Sequence, residues 1–387
     1  MECFGSRNWI RRMCGHVVSR VVSRMCGRVV SRVVSQVSSH VGGPMTRASV
    51  AATLALMCAL TVAIPLTLTG CAATGSTQAA TADPLPSWND GAAKHAIEKF
   101  VADVSREGSP AFVPPAQRIA VFDNDGTLWS EQPIPFQLVF LLDQVKAAAP
   151  AHPEWKSNPA FKALVSHDAA ALAAHQKQLL QLIALANSGM TVDEYDQTVR
   201  NWLASARDPK FNRPYTELVY QPQLELLKYL RANGFKTYIV SGGTIDFMRP
   251  WTERVYGIPP EQVIGSSQAV KFELRDGKPV LVRLPKLDFV DDGPGKPVGI
   301  YRNIGRRPIL AFGNSDGDQQ MLEYTAGGSG ESLELLVHHD DAAREFAYDR
   351  ESKMARLDKA WDEALAHGWT VVSMKDDWKA IYPQPKQ

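Results

Sequence analysis

Short apolar runs that end in polar clusters alternate along the chain with longer stretches of helical spacing. The first run is Ile119-Ala-Val-Phe122, which stops at Asp123 and Asp125. It is too short for a helix and lies between turn formers, so it is predicted as a strand buried on both faces of a parallel sheet. Similar strands are predicted at 236–240, 307–312, 333–337 and 370–374. They end in Ser241-Gly-Gly-Thr244, Gly313-Asn-Ser-Asp-Gly-Asp318 and, for the strand at 333–337, His338-His-Asp-Asp341. A hairpin is expected from 269–274 and 280–284 around the turn Asp276-Gly277. Helical spacing marks the segment around Ile97, Phe100, Val101 and Val104, then 224–232, 298–303, 319–324 and 353–367. Alternation of this kind predicts an α/β fold on a mostly parallel sheet.

Between the first two strands the character changes. Residues 136–149, 158–186 and 192–206 are rich in Ala, Leu and Gln with helical apolar spacing, broken by Pro150, Pro153, Gly189 and Pro209. This predicts a helical insert over 131–220, the size of a small domain. Residues 90–130 and 221–387 then form the α/β body.

The first 89 residues follow other rules. Val-Val-Ser recurs at 17, 21, 29 and 33, a period too short for a solenoid, and nothing there supplies a core. Residues 1–44 are read as an upstream extension, with Met45 as the expected initiator. Met45-Thr-Arg47 gives a positive start, and 48–68 is apolar and uncharged, long enough to cross a bilayer. The stretch ends in Leu68-Thr-Gly-Cys71, which resembles the lipobox of bacterial lipoproteins. That resemblance implies cleavage before Cys71, lipidation of its thiol and a periplasmic protein anchored by lipid, with Ala72 pointing to the outer membrane. A retained transmembrane helix with an incidental cysteine is the alternative. The Ala-, Thr-, Ser- and Pro-rich stretch 72–89 reads as a flexible tether.

Composition narrows the chemistry. The chain has 387 residues, 45% hydrophobic and 21% charged, with net charge +1, so nucleic acid is not an expected partner. All five cysteines lie at or before Cys71, which excludes disulfides and cysteine-ligated metals from the folded body.

Ligands of open α/β sheets bind beyond the carboxyl ends of the strands, and two carboxylates there repel unless a cation or a shared proton intervenes. Asp123-Asn-Asp-Gly-Thr127, then Ser241-Gly242, then Lys296, then Gly313-Asn-Ser-Asp-Gly-Asp318, in this order, resemble the motifs of the haloacid dehalogenase superfamily. Ile239-Val-Ser-Gly-Gly243 and the insert between the first two motifs bring it nearest to the phosphoserine-phosphatase-like branch. The resemblance implies a Rossmann-like core with a helical cap, Mg²⁺, and hydrolysis of a small phosphorylated metabolite through an aspartyl-phosphate. Asp123 would be the nucleophile and a metal ligand, and Asp125 the proton carrier and, through its carbonyl, a second ligand. Thr127, Ser241, Gly242 and Lys296 would bind the phosphoryl group, with Lys286 the rival for the lysine's role.

In that family's pattern the position of Asn314 usually holds Asp. The implied metal set is therefore Asp123, Asp125, Asn314 and Asp318, the last directly or through water, with Asp316 able to compensate. One charge fewer is expected to weaken Mg²⁺ binding, and Asn314→Asp to strengthen it. Two other reactions of the same superfamily, dehalogenation and phosphoryl isomerisation, remain open, as does a non-catalytic lipoprotein that binds a phosphorylated ligand. Consecutive residues on a strand exit diverge, so His338-His-Asp-Asp341 is expected to be solvated or to cap, with His339 or Asp340 able to border the crevice. Glu131 and Gln132 are candidates to reach the leaving group, or Glu131 simply starts a helix.

Overall fold

The computed structural model describes residues 83–384. The repeats, the apolar segment 48–68, Cys71 and most of the tether lie outside the described residues. No helix among those described is long and apolar enough to cross a membrane.

Eight strands form one sheet: β1 Ile119–Phe122, β2 Lys236–Thr244, β3 Val263–Arg275, β4 Lys278–Phe289, β5 Leu310–Gly313, β6 Leu333–Asp340, β7 Ala347–Tyr348 and β8 Thr370–Ser373. Their order is β4-β3-β2-β1-β5-β6-β7, with β8 also on β6. All pairings are parallel except β3 with β4 and β6 with β7. This is the predicted α/β architecture. The central strand is β1, all four of whose residues are buried, as a run apolar on both faces requires.

Register decides where the motifs meet. Phe122 lies opposite Ile239 of β2 and Phe312 of β5, so three chain segments leave the sheet side by side at its carboxyl edge. The Asp123 amide still bonds to the Phe312 carbonyl at 2.9 Å. Beyond that point the sheet has no further partners for β1, and Gly126, with φ +72, turns the chain back over the edge.

Three differences from the sequence reading stand out. A helix at Ile245–Tyr256 follows β2 at once, although Pro250 sits inside it. Proline removes one helical bond, but Phe247, Met248, Trp251 and Tyr256 are buried and their packing holds the helix. The hairpin is much longer than expected, because β3 begins as a parallel neighbour of β2 before pairing with β4. The insert is also not one body. Trp155, Ala160, Leu164 and Leu182 share a separate small core, whereas Phe136, Phe140, Tyr195, Val199 and Leu203 belong to the main core.

The hairpin and the insert join. Thr191 pairs with Val282, and Arg283 exchanges backbone bonds with Gly189 and Met190 at 3.1 and 2.9 Å. The buried Arg283 donates to Asp246 at 3.2 Å and to Gln268 at 2.7 Å, with its guanidinium over the Tyr195 ring. A buried arginine needs such partners to offset its lost hydration.

Candidate active site

A cavity of about 450 Å³ opens at the carboxyl edge of the sheet, lined by Asp123, Asp125, Glu131, Ser241, Gly242, Lys296, Asp316 and Arg356 among others. A crevice of similar size lies at the opposite edge, where β5 and β6 begin, but it gathers no such chemistry.

Lys296 is the hub of one side. Its Nζ donates to Asp123 Oδ1 at 2.8 Å, to Asp318 Oδ1 at 2.6 Å and to the Val240 carbonyl at 2.9 Å. All three hydrogens are used, and the side chain is fully buried. Burial opposes its charge, but Asp123 and Asp318 outweigh it and hold the ammonium protonated. Lys286, the rival, is exposed on the hairpin. Burial pushes the Asp123 carboxyl up, Lys296 pulls it down, and Asp318 adds to the upward push.

Asp318 anchors this side. Its Oδ2 accepts from the amides of Asn314 and Ser315 at 3.0 and 3.1 Å and from the Ser315 hydroxyl at 3.2 Å, while Oδ1 takes Lys296. With both oxygens engaged, it acts on the site through Lys296. Gly313 makes the turn possible, since a Cβ there would fall 2.4 Å from the Asp318 Cβ. Asp316, the other expected candidate, faces away in part: its Oδ1 accepts from the amides of Asp358 and Ala360 at 2.9 and 3.0 Å.

The other side has no fixed cation. Asp125 accepts from the Trp129 indole N–H at 2.6 Å. Burial raises its pKa to about 6, against the pull of that N–H and of Lys296. Glu131 is 5% exposed, and its Oε1 accepts from Asn314 Nδ2 at 2.6 Å and from the Tyr348 hydroxyl at 2.8 Å. Burial, with Asp125 beside it, pushes its pKa well above the ordinary carboxylate range. Asn314 Oδ1 in turn accepts from Thr127 Oγ1 at 3.1 Å. Thr127 is therefore spent on Asn314; it is fully buried and does not line the cavity.

Ser241 lies on the cavity wall, and its Oγ accepts from the Gly243 amide at 3.1 Å, which leaves the hydroxyl hydrogen free to be donated. Gly242 lies beside it, its carbonyl taken by Ser266 at 2.8 Å. The His338–Asp341 cluster diverges, as the strand geometry predicts. Asp340 receives Ser373 and Lys375, and Asp341 caps Ala343 and Arg344. His339 is buried behind the turn that follows Asp123, with Nε2 donating to the Gly126 carbonyl at 2.8 Å.

Sequence reasoning missed Trp129 and Arg356 altogether. Trp129 had a signal, a donor four residues after Asp125; Arg356 had none, because its loop meets the site only through Asp316.

Among the described residues no three His, Cys, Asp or Glu side chains converge to hold a metal. A cation here would use mixed oxygens: the Asp123 carboxylate, the Asp125 carbonyl and the Asn314 amide oxygen. That hard donor set suits Mg²⁺, which retains waters and needs few protein ligands. Asp123 and Asp318 share the Lys296 ammonium, whereas Asp125 and Glu131 have no cation bonded to them among the described residues and burial raises their pKa, so a divalent ion beside them would relieve that penalty.

A comparison with curated proteins finds no match. Among solved structures, the chain is similar to a functionally unknown protein from Anaerococcus prevotii, with 16% identity, TM-score 0.43, and coverage of 64% of this chain and 85% of that one. It is similar also to a protein of unknown function from Bordetella pertussis Tohama I, with 14% identity, TM-score 0.42, and coverage of 66% and 98%. A phosphoserine phosphohydrolase-like protein from Francisella tularensis shares 17% identity at TM-score 0.32, over 57% and 87%. The model of the haloacid dehalogenase-like hydrolases matches residues 120–323, from β1 through the turn that follows β5. The match covers more than half of the sequence and both acidic motifs, and the chain belongs to the haloacid dehalogenase-like hydrolases.

Proposed function

We propose that this hydrolase is a Mg²⁺-dependent phosphatase that cleaves a small phosphomonoester through an aspartyl-phosphate on Asp123. The observation that carries the reading is the fixed geometry around that residue. One oxygen is pinned by Lys296, the carboxylate lines the cavity, and a second acid stands two residues away with a raised pKa.

Phosphoryl transfer needs an in-line nucleophile, charge neutralisation and a proton for the leaving oxygen. Asp123 attacks phosphorus with the oxygen that Lys296 leaves free, and the bond to the ester oxygen breaks. Asp125 gives its proton to that oxygen, releasing the alcohol. Water then attacks the phosphorus of the aspartyl-phosphate, Asp125 takes the water's proton, and phosphate leaves with Asp123 restored. The Ser241 hydroxyl donates to the transferring group, a contribution of about 3 kcal/mol for donors of this kind, and the Lys296 ammonium, its hydrogens engaged, offsets charge through its field. Mg²⁺, held by Asp123, the Asp125 carbonyl and Asn314, supplies the remaining charge neutralisation. Glu131 and Pro135, at the start of the insert, line the cavity, and in this reading the insert acts as a cap that limits substrate size.

Cys71 and the apolar segment before it support a lipid anchor and a periplasmic location, on the outer membrane. Mass spectrometry of the membrane fraction tests this; a chain that keeps 48–68 and an unmodified Cys71 sinks the anchor.

Turnover of p-nitrophenyl phosphate by the purified protein, with Mg²⁺ or with EDTA, tests the catalytic reading. Activity that needs Mg²⁺ and falls by about 10³-fold or more in Asp123→Asn is expected. Undiminished turnover by the variant removes the nucleophile, and no turnover by the wild type favours a protein that only binds a phosphorylated ligand.

A further inference from the structure

Asn314 carries one charge fewer than the acid that resemblance leads one to expect there, and the structure places a carboxylate directly against it. Glu131 Oε1 is 2.6 Å from Asn314 Nδ2, although the two are 183 residues apart. The pair is built into the fold. A Cβ on Gly126 would lie 2.1 Å from both atoms, so only glycine lets the nucleophile turn pass over them. Tyr348 holds the same Glu131 oxygen from the far side at 2.8 Å. Glu131 is 95% buried, given its 5% exposure, yet it lines the cavity with Asp123 and Asp125. Its other oxygen has no protein partner among the bonds that fix the first.

The Glu131 oxygen that accepts from the Tyr348 hydroxyl also accepts from the amide nitrogen, which turns the Asn314 oxygen the other way. That oxygen meets the Thr127 hydroxyl at 3.1 Å and keeps a second lone pair. Donating N–H to an acceptor oxygen also shifts electron density onto the amide oxygen. Carboxylates that hold metal ligands by their far N–H have this double effect, on orientation and on donor strength.

We propose that Glu131 is a positioning residue for the metal: by holding the Asn314 amide nitrogen it leaves the Asn314 oxygen as the end that can serve a cation. The proposal rests on the Mg²⁺-dependent reading above. It replaces the expectation that Asn314→Asp alone strengthens binding. In that variant two carboxylates would meet at about the distance of the present hydrogen bond and hold one proton between them.

The test is metal binding, not turnover. Mg²⁺ titration calorimetry and Mn²⁺ electron paramagnetic resonance are run at one pH on wild type, Glu131→Gln, Asn314→Asp and the double variant. Glu131→Gln is expected to weaken binding by about 10- to 100-fold. Asn314→Asp alone is expected to bind no more tightly than wild type. The double variant exchanges the two chemistries, since a Gln amide can donate to an Asp carboxylate, and is expected to recover to within about fivefold of wild type. Tyr348→Phe removes one bond to Glu131 without changing charge, and a loss of about two- to fivefold is expected; it serves if Glu131→Gln fails to fold. Unchanged affinity in both Glu131→Gln and Tyr348→Phe overturns the proposal, as does a double variant that binds no better than Glu131→Gln. A wild type that binds neither metal overturns the Mg²⁺ reading itself, a result distinct from any ranking of the variants.

Discussion

The two halves of the active site are built on opposite electrostatic plans. On one side Lys296 spends all three hydrogens on Asp123, Asp318 and the Val240 carbonyl, so every charge has a partner. On the other side the half-buried Asp125 and the buried Glu131 meet neutral donors only, the Trp129 indole, the Tyr348 hydroxyl and the Asn314 amide. The first half is complete as folded. The second is complete only with a cation or a proton, and a divalent ion seated near Asp123 satisfies both the charge and the hard oxygen donors. Under the proposed reading, the lysine sets the nucleophile, while the unpaired acids create the demand for metal.

The largest break in this picture is Lys296→Met. Removing one member of a buried ion cluster strands the others, at a cost of about 3–5 kcal/mol. Denaturant unfolding should show that loss, and turnover should fall by about 10³-fold or more, since nucleophile orientation goes with it. Glu131→Gln on the other side should behave oppositely in metal-free buffer, changing stability by about 1 kcal/mol or less, because a protonated acid is replaced by a neutral amide. Equal destabilisation by the two substitutions would erase the contrast.

A smaller effect is expected at Trp129. The indole N–H favours the ionised form of Asp125, whose pKa is raised to about 6 by burial. As general acid Asp125 must be protonated, so kcat/KM for an alkyl phosphate should fall as pH rises through its pKa. Trp129→Phe removes the donor, raises that pKa and moves the alkaline limb upward by about one unit or less. The ring still packs on Trp251 and Phe136, with centroids now at 4.4 and 4.8 Å, so the fold should tolerate the change. A p-nitrophenyl ester, whose leaving group needs no proton, should show a weaker dependence. A limb that stays in place with the alkyl ester would remove Trp129 from the tuning of the acid.

The paired half was more legible in the sequence than the unpaired half, for physical reasons. Ile119–Phe122 is a four-residue apolar run cut off by acids, and such a strand must be buried and central. The register that brings Ser241 and Asn314 beside it follows from parallel pairing. The order of the motifs favours Lys296 over its rival Lys286, and the fold adds which loop turns inward, with Lys296 buried and Lys286 exposed. Nothing local marks Glu131 as a partner of Asn314, and the same holds for the loop that carries Arg356. The helix at Ile245–Tyr256 was hidden by Pro250, a local rule that Trp251 and its neighbours override by burial. The start of the long hairpin, Val263-Ile-Gly-Ser-Ser-Gln268, was hidden because Gly265-Ser-Ser267 reads as a turn and breaks the apolar run.

Arg356 offers the finest test of the contrast. Of the residues that line the cavity, only Lys296 and Arg356 are cationic, so Arg356 is the obvious protein counter-ion for the unpaired half. Its side chain is 56% exposed, however, and already paired with Asp358. Exposed pairs of this kind contribute about 0–1 kcal/mol and yield readily to water. Arg356 is therefore expected to guide the anionic substrate at the rim, not to balance Asp125 and Glu131. Arg356→Gln should raise KM by about two- to fivefold, leave kcat within about twofold, and leave Mg²⁺ affinity unchanged. If the substitution instead tightened Mg²⁺ binding or cut kcat by about a hundredfold, the guanidinium would be acting inside the site, and the second half would not depend on metal alone for its charge.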